Sequence, residues 1–159
     1  MRLVIADTSP INYLIQIHQI ELLPRLFERV ALPSTVQSEL SHVRAPLPVQ
    51  EWIANPPGWL EIHATPDVTQ VALEGLDEGE TAAIALAEAL HADLLLIDER
   101  EGFRIAMRRG LPATGTLGVL DLAAERGLVD FAAAITALER TSFRLPATLL
   151  KILLAKHKS

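Results

Sequence analysis

The chain has 159 residues, 50% of them hydrophobic and 4% aromatic, no cysteine, and a formal net charge of −6. That length suits one compact domain with a real core, and the lack of cysteine excludes disulfides, zinc–thiolate sites and thiol nucleophiles. No apolar run reaches membrane-spanning length and the first residues run straight into a strand without a signal-peptide pattern, so a cytoplasmic protein with no membrane contact is expected.

In chain order, residues 2–6 read as a buried strand, and Ser9 as the cap of a helix with Pro10 at its first position. Residues 20–27 suggest a short helix and 29–32 a second strand. Pro33-Ser34 opens another helix, with Ser34 and Gln37 at capping-box spacing. Residues 45–48 form a proline-bounded loop, followed by a short amphipathic segment around Trp52. Asn55-Pro56-Pro57-Gly58 is a break before a third strand at 59–62. The strongest periodicity follows: an Ala/Leu helix at 81–90, a fully buried strand at 94–97, and a helix at 100–109 stopped by Gly110. A short strand or turn comes after Ala113, and Gly115-Thr116 opens a helix to about Arg126 that Gly127 ends. Helices at 130–140 and 146–156 close the chain; the last is apolar on more than one face, so the domain or a second subunit is expected to clasp it. Strands alternating with helices predict a three-layer α/β domain with a parallel sheet, spanning residues 1–159 as one unit.

Four acidic residues stand beside these strand ends and helix starts. They are Asp7 after Val4-Ile5-Ala6, Glu39 in the helix after Pro33, Glu80 after Gly79, and Asp98 after Leu94-Leu95-Leu96-Ile97. In a parallel α/β sheet, strand carboxyl ends and the first turns of following helices share the edge where ligands bind. Carboxylates converging there repel one another, by roughly 3 kcal/mol per pair at ~5 Å and an effective dielectric of about 20. A hard divalent ion such as Mg²⁺ or Mn²⁺ removes that cost, and oxygen ligands suit it.

Each acid also has an ordinary explanation. Asp7 could simply end a strand, Glu39 could be a solvated helix glutamate, and Glu80 stands at capping-box spacing from Asp77. Asp121 interrupts an apolar helix face and fits the rim better than the centre of a site. His18, His42, His63, His91 and His157 are scattered and lack zinc-helix spacing. No glycine-rich loop precedes a Lys-Ser/Thr pair, and neither Ser9 nor Ser34 lies in a nucleophile elbow.

Nucleic-acid binders usually carry a basic face, but metal ligands count as acids until metallated, so the distribution of charge matters more than its sum. Arg100, Arg104 and Arg108 are four apart and share one helix face that begins two residues after Asp98. A solvated face paired with Glu101 explains part of the row; a phosphate backbone is the natural partner for the rest. Lys151, Lys156 and Lys158 make the C-terminus basic as well.

The motifs Ile5-Ala6-Asp7-Thr8-Ser9-Pro10, Pro33…Val36…Glu39, Gly79-Glu80-Thr81-Ala82-Ala83-Ile84 and Leu96-Ile97-Asp98 occur in the order of the PIN-domain family. Gly115-Thr116-Leu117-Gly118-Val119-Leu120 followed by Gly127-Leu128 resembles its largely uncharacterised VapC-like prokaryotic branch. The resemblance implies a Rossmann-like α/β/α fold and a Mg²⁺- or Mn²⁺-dependent endoribonuclease, often the toxin of a toxin–antitoxin pair. RNA, a small antitoxin and a second copy of the chain are the partners it implies. Carried over, Asp7, Glu39, Glu80 and Asp98 are the catalytic and metal-site acids, with Thr8, Ser9 and Thr116 as supporting groups. Many members have Asp where this chain has Glu80, and the longer side chain changes its reach. A haloacid-dehalogenase-type phosphatase would need a second Asp where Ser9 stands, and a receiver domain lacks its acidic pair here. The remaining rival is a catalytically idle PIN-fold binding module.

Overall fold

In the computed structural model, residues 2–158 are described. The central strands are short runs of mostly aliphatic residues, and each strand is followed by a helix that folds back over the sheet. The first half runs β1 (Leu3–Ala6), α1 (Thr8–Gln16), α2 (Leu22–Leu26), β2 (Arg29–Pro33), α3 (Ser34–Leu40), α4 (Leu47–Ala54) and β3 (Leu60–His63). The second half runs α5 (Thr69–Ala72), α6 (Glu78–Ala89), β4 (Leu94–Leu96), α7 (Arg100–Arg108), β5 (Ala113–Thr114), α8 (Thr116–Glu125), α9 (Phe131–Glu139) and α10 (Ala147–Lys156).

The five strands form one parallel sheet in the order β3-β2-β1-β4-β5. Side chains alternate across it, as a pleated strand requires. Val4, Ala6, Val30, Leu32 and Leu96 enter a core shared with α1–α4 and α8–α10, whereas Leu3, Ile5, Ala31, Leu95 and Ile97 enter a second core under α5–α7. Two cores on opposite sheet faces make the three-layer α/β/α architecture. Burial on both faces explains why β1 and β4 are aliphatic throughout, whereas the edge strand β3 alternates as Leu60-Glu61-Ile62-His63.

Chain direction in the sheet reverses beside β1. The path moves outward through β2 and β3, then crosses back to β4 and β5 on the other side. The carboxyl ends of β1 and β4 therefore flank a topological switch point, where the loops part and leave a crevice.

Several local expectations change in the folded chain. Asp7, not Ser9, occupies the cap position of α1, and Pro10 lies inside the first turn, where its missing N–H costs nothing. Pro33 precedes α3 and the Ser34–Gln37 capping box does not form, because the Ser34 hydroxyl faces Thr65 across the β3 edge at 3.2 Å. The expected loop at 45–48 is shorter, since α4 starts at Leu47 with Pro48 in its first turn. The turn of helix at α5 was not expected from the sequence. Gly110 and Gly127 do end α7 and α8, with φ of 81° and 70° that only glycine adopts without strain.

Candidate functional site

Asp7 follows the last residue of β1, and its backbone N–H donates to the Leu96 carbonyl of β4 at 2.9 Å. The sheet itself thus fixes its position. Asp98 lies two residues beyond β4, Glu39 comes from the last turn of α3, and Glu80 from the first turn of α6. All four border one cleft of about 510 Å³, together with Thr8, Ser9, Asn12 and Tyr13 of α1, Asp77, Glu99 and the Ser142–Arg144 stretch.

The hydroxyl groups at the cleft hold carboxylates in place. Ser9 donates to Asp98 Oδ2 at 2.8 Å, and Thr116 donates through its backbone N–H to Oδ1 at 2.6 Å and through its hydroxyl to Oδ2 at 2.7 Å. Thr8 donates to Glu39. Two glycines make room. A Cβ at Gly115 would stand 2.5 Å from Asp98 Oδ1, and one at Gly79 would overlap the Glu39 carboxylate. Neither glycine has positive φ, so close approach rather than backbone freedom is the reason for them.

Glu80 plays the capping role as well. Its backbone N–H donates to Asp77 Oδ1 at 2.8 Å, and its Oε1 accepts from the Asp77 N–H at a long 3.4 Å, completing the reciprocal cap. The ordinary reading of Glu80 therefore holds, and the residue nonetheless lies buried at the cleft.

Charge is poorly compensated here. Asp7 is only 5% exposed, and its Oδ1 has no hydrogen-bond partner among the described residues. Burial pushes the Asp7 carboxyl up to about 8; the Thr8 backbone N–H opposes this, and Asp77, Glu80 and Glu39 add repulsion. Burial and the Asp77 charge push Glu80 up to about 7, against the Asp77 backbone N–H, with smaller repulsion from Glu99 and Glu39. Two carboxyls that hold protons near neutral pH, one with an orphaned oxygen among the described residues, mark a cleft where six acids face one cation, Arg144.

An all-oxygen donor set with an unsatisfied buried carboxylate oxygen fits a hard divalent cation. The acids line the walls rather than meeting at a point: among the described residues no three His, Cys, Asp or Glu side chains are gathered into a ready-made ion cage.

The arginine row divides. Arg100 borders a second groove that shares Asp98 with the cleft. Arg104 pairs with Glu101 on its own helix, and Arg108 pairs with Glu74 at 2.8 Å. Neither Arg104 nor Arg108 borders the cleft. Asp121 is on that second groove, where it accepts from Lys156 and faces His157 Nε2 at 2.7 Å.

Sequence reasoning missed several cleft residues. Asp77 was read only as a cap. Asn12 had a signal, since it stands one helical turn after Thr8 on the same face. Tyr13 and the Ser142–Arg144 stretch had none, because only the fold brings a segment between α9 and α10 against α1.

A five-stranded parallel sheet in three layers, with acids at its switch point, defines an α/β protein of Rossmann-like type. Residues 3–159 match the family model described as a PIN domain, and the chain belongs to that family. PIN domains are usually nucleases that use divalent metals and commonly bind nucleic acid. No curated protein shows significant similarity to the chain. Among the described residues no helix is long and apolar enough to cross a membrane.

Proposed function

We propose that this chain is a metal-dependent endoribonuclease that hydrolyses RNA phosphodiester bonds in the acidic cleft, with all of residues 1–159 forming one PIN unit. The observation that carries the reading is Asp7: a carboxylate buried at the switch point, with an oxygen that has no partner among the described residues, in a cleft lined by five other acids. Such a group is costly unless a cation meets it.

In this reading Asp7 and Asp98 hold Mg²⁺ or Mn²⁺ directly, and Glu39 and Glu80 complete the donor set or act through water. A bound ion supplies an activated water and compensates charge at the phosphate. The chain's own contribution is positioning. Ser9 and Thr116 aim Asp98, and Thr8 aims Glu39, so these hydroxyls serve the acids rather than the phosphate. Among the arginines, Arg100 is the best placed for RNA; Arg104 and Arg108 contribute only when their pairs with Glu101 and Glu74 open.

The test is cleavage of a panel of structured and unstructured RNAs with Mn²⁺, comparing wild type with Asp7→Asn. Metal-dependent cutting that EDTA and Asp7→Asn both abolish is the expected result. RNA binding without cutting under any metal condition would instead make the chain an idle binding module. That second reading is favoured by the engagement of Glu80 as a cap. Hydrolysis of a phosphomonoester but not of RNA would point to a phosphatase.

The narrower role is the toxin of a cytoplasmic toxin–antitoxin pair, acting as a homodimer. Leu149, Ile152 and Leu154 on α10 are 45%, 59% and 36% exposed, which suits a second copy or a small antitoxin. Growth arrest on expression of the wild type but not of Asp7→Asn would support this role. Size measurement in solution checks the dimer.

A further inference from the structure

Beside the acidic cleft runs a second groove of about 650 Å³, mostly apolar, between α7, the β5 edge, α8 and α10. Its volume is in the range of small-molecule sites. Asp98, Phe143 and Arg144 border both spaces, so the segment between α9 and α10 forms the partition between them. That partition is anchored: the Phe143 ring meets Tyr13 edge-on with centroids 5.0 Å apart, and Tyr13 Oη lies 2.8 Å from Ser142 Oγ.

Two observations say what belongs in the groove. Phe103, 38% exposed, and Phe143 offer aromatic surface, extended by Leu145 and Leu149. Arg100 and Arg144 stand at its edges, both exposed and neither ion-paired among the described residues, unlike Arg104, Arg108 and Arg109. The one acid there besides Asp98, Asp121, is already neutralised by Lys156. Aromatic faces beside free arginines are the chemistry that holds single-stranded nucleic acid, stacking bases and gripping phosphates. A protein segment would use the apolar surface but would leave both arginines without their matching anion.

We propose that this groove is a nucleobase subsite: it seats one unpaired base of the strand cut at Asp7 and Asp98. Phe103 and Phe143 line the base pocket, and Arg144 and Arg100 contact the phosphates on either side. This rests on the nuclease reading and narrows it. A base can enter only if it is not paired, so a continuous duplex cannot fill the groove.

The probe is a set of labelled single-stranded oligoribonucleotides of one sequence, each with a single abasic position, titrated against full-length Asp7→Asn protein. One abasic position next to the scissile bond should weaken binding by roughly tenfold or more, within the range of one base–aromatic stack. That sensitivity should vanish in Phe103→Ala and return in Phe103→Trp. Phe103 carries the protein-side test because Phe143 also packs on Tyr13. Arg144→Ala should flatten the slope of log affinity against log salt by roughly 0.7, and the fully paired duplex should compete poorly. If wild type cuts the intact strand with Mn²⁺ but no abasic position matters and duplex is cut equally, the subsite is wrong and the nuclease reading stands. If no oligonucleotide is bound or cut, both fall.

Discussion

Thr116 holds both oxygens of Asp98, with its backbone N–H on Oδ1 at 2.6 Å and its hydroxyl on Oδ2 at 2.7 Å. The first residue of α8 thereby sets the direction of the carboxylate that follows β4. Thr116 is fully buried, so no water substitutes for its hydroxyl without rearrangement.

Thr116→Val keeps the shape and removes that hydroxyl. Losing a hydrogen bond to a charged group costs about 1.5–3 kcal/mol, and a partner that orients a metal ligand is worth roughly 10–100-fold in metal affinity. Mn²⁺ titration by calorimetry should show the drop in affinity. Thr116→Ser should recover most of it.

Gly79→Ala should separate stability from activity. Alanine favours the helix by up to about 1 kcal/mol, while the new Cβ takes the space of the Glu39 carboxylate. Glu39 is the flexible end of a side chain and swings away. The melting temperature should therefore hold or rise slightly, and Mn²⁺-dependent cutting should fall. A variant that cuts normally would remove Glu39 from the site.

The metal-free chain should become less stable as pH rises. Burial carries the carboxyl of Asp7 from its ordinary 3.8 up to about 8, and that of Glu80 from 4.5 to about 7. Between the unfolded and folded values the native state binds more protons, so unfolding free energy falls with increasing pH. The loss begins near pH 4 and continues until the pH has passed the folded value of about 8. The two shifts together set an upper bound on the order of 10 kcal/mol. Thermal melts in EDTA across this range should show the decline, reduced in Asp7→Asn. Mn²⁺ at the alkaline end should restore stability to wild type and much less to Asp7→Asn, because an ion that binds only the native state adds RT ln(1 + [L]/Kd).

Asp121 should anchor α10. Burial alone would raise its carboxyl, but the hydrogen bonds from His157 and Lys156 outweigh that and hold it below the usual value. Its contribution is present above the unfolded value and lost as pH falls below about 4. Because Lys156 is exposed and Asp121 only partly buried, the effect is ~1 kcal/mol at most. Asp121→Asn should speed amide exchange in α10 without changing exchange in β1.

Much of the architecture was legible because it is local. Runs such as Leu94-Leu95-Leu96-Ile97 can be buried only between two layers of helices, and glycines at 110 and 127 mark helix ends whatever surrounds them. Asp7 and Asp98 could be placed at the ligand edge for the same reason: a polar residue that follows a buried strand emerges at its carboxyl end. The cap readings at Ser9 and Ser34 failed because each hydroxyl found a distant partner, Asp98 and Thr65, that local spacing cannot reveal.

Hydrophobic period and turn chemistry act over a few residues, so the elements, their alternation and the strand-end acids follow from local order along the chain. Which charges remain free is a matter of long-range packing. Arg104 and Arg108 form one row in the chain, yet Glu101 and Glu74 hold them, while the inconspicuous Arg144, between cleft and groove, has no ion pair among the described residues. Coulomb energy depends on distance and burial in space, and packing alone sets those for residues far apart in the chain.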